Sequence, residues 1–76
     1  MKELKVFFKE IEEVKTFCDI CSKYDFDVDL YTGKYVVNAK SIMGIFSLDL
    51  SKPVCMKVDC PDGSPFFNEI EPFLVS

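Results

Sequence analysis

Apolar and polar positions alternate, then switch period, several times along the chain. L-K-V-F-F at residues 4–8 is β-branched and aromatic with partial alternation, which predicts a first strand. KEIEEVKTFCDICSKY then takes a helical period. Val14, Phe17, Cys18 and Cys21 fall on one face at three- and four-residue spacing, with Ile11 and Ile20 near its border. Glu10, Glu12 and Glu13 belong to the first turn, where carboxylates suit the positive end of the helix dipole, and Lys23 to the last. DFDVDLYTGKYVVNA predicts a hairpin: Val28 and Leu30 alternate with Asp27 and Asp29, Thr32-Gly33 turns, and Tyr35, Val36 and Val37 begin the return strand. The same alternation accounts for the Asp25, Asp27, Asp29 row, which lacks the spacing of an EF-hand loop.

Ser41 then stands as the N-cap of a short helix carrying Ile42, Met43, Ile45, Phe46 and Leu48. Gly44 weakens that helix by about 1 kcal/mol relative to Ala. After Pro53, Val54, Met56, Val58 and Cys60 share one face of a strand, and Cys55, Lys57 and Asp59 the other. P-D-G at 61–63 predicts a turn. Ser64-Pro65 predicts an N-cap with proline in the first helical position, and Pro72 ends that helix early. The order β-α-β-β-α-β-α implies an α+β fold, a mostly antiparallel sheet with helices on one face, forming a single domain over residues 1–76.

Composition narrows the chemistry. At 49% hydrophobic with eight Phe, the chain has the means to build a core despite its 76 residues. A net charge of −4 argues against nucleic acid and against anionic membranes. No apolar run reaches membrane-spanning length and the N-terminus lacks a signal-peptide pattern, so a cytoplasmic location is expected. The chain has no histidine, which removes the commonest general base and metal ligand together. Cys18 and Cys21 form C-x-x-C inside a helical pattern rather than at its start, and Cys55 and Cys60 stand on a strand. The favoured reading of these thiols is small buried side chains in a reduced compartment. The alternative is a metal- or redox-responsive thiol protein using all four cysteines. In the favoured reading no metal or other cofactor is expected, and the chain is not an enzyme.

SKYDFDVDL, then GK, then NAKSIMGIFSL resembles HPr, the small phosphocarrier family of the bacterial sugar phosphotransferase system. The resemblance runs from about Ser22 to Asp59, and K-S-I-M-G-x-x-S-L is its specific part. It implies an HPr-like open-faced β-sandwich: a four-stranded antiparallel sheet under three helices, here with a shortened C-terminal helix. The family carries its phosphoryl group on a histidine just before the first helix. Counting back from SKY places Glu10 near that position and Glu12 near the family's arginine. The resemblance further implies that Ser41, at the position phosphorylated by an ATP-dependent kinase in Gram-positive relatives, is a candidate regulatory site. Ile42, Met43 and Phe46 become candidates for partner docking. The protein expected is a regulatory or adaptor relative without a catalytic histidine. Its partners would be proteins, such as an HPr-type serine kinase or a transcription regulator; catabolite-repression HPr-like proteins offer a precedent. Nothing in the chain sets the oligomeric state.

Overall fold

A computed structural model describes residues 2–61 and 63–75. β1 (Lys2–Val6), α1 (Ile11–Ser22), β2 (Val28–Thr32), β3 (Tyr35–Asn38), α2 (Ile42–Phe46), β4 (Val54–Val58) and α3 (Phe66–Ile70) follow in the expected order. A 3₁₀ turn at Glu71–Phe73 leads into β5 (Leu74–Val75). The sheet runs β3-β2-β4-β1-β5, and every neighbouring pair is antiparallel. β1 and β2 therefore flank β4 in parallel, and α1 spans the gap between them as a crossover. α2 makes the corresponding passage from β3 to β4.

Alternation decides which side of the sheet is covered. Val28 and Leu30 of β2 and Val54, Met56 and Val58 of β4 are buried, while Asp29, Tyr31, Cys55 and Lys57 occupy the opposite, open face. Register stacks Leu30 beside Met56 and Leu4 beside Met56 from the other side, so the core-facing rows align across strands. Val14, Phe17, Cys18 and Cys21 turn the predicted stripe of α1 onto this surface. Phe8, Phe17 and Phe73 meet at centroid distances of 5.2 to 5.9 Å at one end of the core. Tyr24, Phe26 and Phe66 meet at 5.1 to 5.4 Å at the other. Among the described residues, no charged or polar side chain is fully buried.

Several boundaries differ from expectation for local reasons. β1 lies at residues 2–6 rather than 4–8, because Phe7 donates its amide to the Phe73 carbonyl at 2.8 Å and Phe8 turns into the aromatic cluster. A fifth, two-residue strand joins the expected four. Pro72 ends the last helix within the 3₁₀ turn, and the extended chain after it finds the open edge of β1, with Leu74 opposite Val6. Pro65 occupies the N-cap of α3 rather than its first turn, while Ser64 Oγ accepts the Phe66 amide at 3.3 Å. α2 stops at Phe46, leaving Leu48 buried but outside the helix. Lys23 is the C-cap of α1, one position past the last turn, and its ammonium reaches Glu69 of α3. Cys60 lies beyond the end of β4. The expected turn at 61–63 centres on Asp62, which lies outside the described residues.

Candidate functional site

The heads of α1 and α2 hold the residues that the sequence singles out. At α1, Glu10 is the N-cap in an extended conformation, but its side chain caps nothing. Glu13 supplies the anchor instead: its Oε1 accepts the Lys9 amide at 3.0 Å, while its own amide bonds to the Glu10 carbonyl at 3.1 Å. A donor near the helix start is thus already used by a carboxylate of the same helix. Glu10 and Glu12 are exposed beside it.

At α2, Ser41 is exposed and extended, and its Oγ accepts the Gly44 amide at 3.3 Å. The chain leading into it is held from both sides. Asn38 accepts the Lys40 amide on its side chain at 2.8 Å and the Ser41 amide on its carbonyl at 2.9 Å. Lys40 Nζ donates to the Tyr24 carbonyl at 2.7 Å, tying this loop to the chain just past the end of α1. Gly44 has a steric purpose that helix propensity does not reveal. A Cβ there would stand 3.3 Å from Ser41 Oγ and 3.3 Å from Val37 Cβ.

The docking candidates divide. Ile42 is half-buried and packs against the core, as do Ile45 and Leu48 more completely. Met43 is 76% exposed and Phe46 38%. Sequence reasoning left one participant aside: Ile11, near the border of the α1 stripe, is 66% exposed. It lines an open cavity of about 220 Å³ together with Phe8, Val14, Phe46 and Leu50, with Lys9 and Glu10 completing the wall. Ile11 precedes Val14 by three residues and so continues the buried stripe in sequence. It is the first residue of the helix, however, and projects past the packed layer.

The four cysteines do not gather. Cys18 and Cys21 lie beneath α1, whereas Cys55 sits on the open face of the sheet, in register with Lys5 and Tyr31. Among the described residues no three metal-ligating side chains come together. Burial pushes the Cys21 thiol up to about 12, and burial likewise raises Cys18 despite its bond with Ser22. Neither is a ready thiolate. A second ionisable cluster lies at the other end of α1, where Glu69 accepts from both Tyr24 Oη and Lys23 Nζ. The carboxylate holds the Tyr24 phenol up at about 12, and the two donors lower Glu69.

An open-faced antiparallel sheet is covered on one side by helices, and the heads of two of them present a capped serine and exposed apolar side chains. The family model described as "PTS HPr component phosphorylation site" matches residues 13–74, and the chain belongs to the HPr family of the phosphotransferase system. The crystal structure of HPr-C-His from Thermoanaerobacter tengcongensis is similar at 26% identity and a TM-score of 0.76, covering 95% of this chain and 89% of that one. HPr from Bacillus anthracis shares 24% identity at a TM-score of 0.64, over 93% and 87% of the two chains. The histidine-containing phosphocarrier protein of a mycoplasma shares 14% at 0.69, over 93% and 86%. These last two show the fold alone. No curated protein matches the sequence. Among the described residues, no helix is long and apolar enough to cross a membrane.

Proposed function

We propose that this chain is a non-catalytic member of its family, a regulatory or adaptor protein that does not relay phosphoryl groups on histidine. The observation that carries the reading is the absence of any histidine from a chain with the family's fold. The first helix head supports it: Glu10 lies near the family's histidine position, and Glu13 already occupies the Lys9 amide. Imidazole is the nucleophile that phosphohistidine transfer requires, and among the described residues no ion pair joins Glu10 or Glu12.

In this reading the protein acts in the cytoplasm through a protein partner, with no role for nucleic acid or membrane. Ser41 is its regulatory modification site. The hydroxyl is exposed, and a phosphate there would keep the Gly44 amide as a donor while adding about −1.5 to −2 charges to a net charge of −4. An HPr-type serine kinase and a transcription regulator are the partners that fit this role.

Two incubations followed by intact-mass measurement test the proposal. With phosphoenolpyruvate and the general phosphotransfer enzyme of the system, the mass should stay unchanged under conditions that fully charge an ordinary HPr. With ATP and an HPr serine kinase, one phosphoryl group should appear, map to Ser41, and vanish in Ser41→Ala. Phosphoryl uptake in the first incubation overturns the non-catalytic reading. An unchanged mass in the second removes Ser41 as a switch and leaves it a helix cap.

A further inference from the structure

β3 lies at one edge of the sheet, with β2 on its inner side. The Ala39 amide donates to the Val28 carbonyl at 2.8 Å, and the register that sets Asn38 against Asp29 sets Ala39 opposite Val28. Bonded and non-bonded pairs alternate along an antiparallel ladder. Val37 and Tyr35 therefore turn their amides and carbonyls toward β2, while Val36 and Asn38 turn theirs outward. The Asn38 carbonyl is taken by the Ser41 amide at 2.9 Å. Sheet edges are ordinarily guarded by charge, proline or a bulge. The strand YVVN contains no charge or proline, and its ladder with β2 runs without a bulge. Tyr35 is 72% exposed and Val36 65%. The opposite edge, β5, is only two residues long.

Two charges flank this edge without a partner of opposite sign. Lys34 stands in the turn before β3, and Asp29 of β2 is in register with Asn38. Among the described residues, neither joins an ion pair. Lys57, opposite Asp29 on β4, pairs with Glu3 instead and lies over the Tyr31 ring at 5.0 Å. The remaining charges near β3 are Lys40, Lys52 and Asp49. Lys40 is bound to the Tyr24 carbonyl, Asp49 is bound to Ser51, and Lys52 shares a cleft at the turn end with Lys34, Tyr35 and Asp49.

We propose that β3 is the contact of a two-fold homodimer, pairing antiparallel with β3 of a second copy about Val36 and continuing the sheet across both chains. Val36 then exchanges both of its outward bonds with Val36 of the second copy. Tyr35 comes opposite Val37, apolar against apolar. Lys34 comes opposite Asn38, one strand away from Asp29 of the second copy. With strands about 4.8 Å apart, those two backbone positions are about 10 Å apart, a span that lysine and aspartate side chains bridge. The two-fold axis makes this pair twice, so a second copy supplies both signs of charge where each is needed. Moving the axis to Val37 would require the occupied Asn38 carbonyl and set Lys34 opposite Lys40. The dimer goes beyond the non-catalytic reading and does not depend on it.

Sedimentation equilibrium of the full chain over about 10 µM to 1 mM tests the proposal. The average mass should rise from 8.7 kDa toward twice that value, and in ¹⁵N spectra the amides of Val36 and Asn38 should shift most with concentration. Val36→Lys sets like charges against each other at the axis and should weaken the dimer at least about tenfold. Lys34→Glu and Asp29→Lys each bring like charges together across the contact, and each should be monomeric alone. Mixed, these two variants should restore a dimer, because every pair is then of opposite sign. Circular dichroism checks the fold of each variant. A constant monomer mass overturns the proposal, as does a dimer indifferent to Val36→Lys or one whose shifts fall on the helix heads or β5. Failure of the mixed variants to associate overturns the pairing about Val36.

Discussion

Ser41 holds the start of α2 by accepting the Gly44 amide, and the same oxygen is the one a kinase would modify. Removing it in Ser41→Ala should lower unfolding free energy by about 1 kcal/mol, whereas Ser41→Asp, itself a good cap, should stay near the parent. Urea unfolding at neutral pH measures both. Gly44→Ala tests the crowding beside the cap. Helix propensity alone promises a gain of about 1 kcal/mol, but the new methyl meets Ser41 Oγ and Val37 Cβ at 3.3 Å. The expected result is no gain; a full gain would show that these neighbours yield freely. Tyr24 and Glu69 make a pH-dependent pair. The phenol's folded value of about 12 lies above its ordinary 10, so its contribution is complete below pH 10 and is lost as pH rises toward 12. Glu69 is lowered from 4.5, so its contribution is present above that value and is lost as pH falls below it. Glu69→Gln should flatten both limbs of the stability profile and return the Tyr24 titration, followed by ultraviolet absorbance, toward 10.

Among the elements, α3 shows how a short helix is kept in place. Five residues are too few for a helix to persist alone, so its stability comes from packing. Phe66 is fully buried with Tyr24, Phe26 and Phe67 around it, and Glu69 ties the helix to Lys23 and Tyr24. Phe66→Ala should cost about 3–5 kcal/mol by chemical denaturation, a large share of what so small a domain has. A loss below about 1 kcal/mol would mean that α3 contributes little to the core. The periodicities of α1, the β2–β3 hairpin and β4 are all visible in the sequence, because each has one face buried and one exposed. β5 was not legible: two residues carry no period, and their pairing exists only because β1 leaves an open edge. The exposure of Ile11 was hidden for a related reason. Its spacing from Val14 matches the buried stripe, and only the position of α1 over the sheet leaves the helix's first residue uncovered.

Over the whole molecule, the separation of the cysteines by the sheet decides their chemistry. Cys55 is half-buried on the open face, while Cys18 and Cys21 lie in the core with raised thiols. Under non-denaturing conditions a thiol reagent should label Cys55 well before Cys21, and unfolding should release the full complement of four with no metal detected. Bound zinc in the purified protein, or early labelling of Cys21, would revive a thiol-based function.

The order of elements, the helix face that enters the core, the serine cap and the missing histidine all follow from residue type and spacing, which are local properties of the chain. The family resemblance also stood in one continuous stretch around K-S-I-M-G. Tertiary structure decided what lies between elements. It placed Ile11 beside Phe46, aimed Lys40 at the Tyr24 carbonyl, committed Glu13 to the Lys9 amide, and put Cys55 across the sheet from Cys18 and Cys21. Each of these depends on how helices sit on a twisted sheet and on which groups find partners there, and side-chain spacing within one segment holds no record of either.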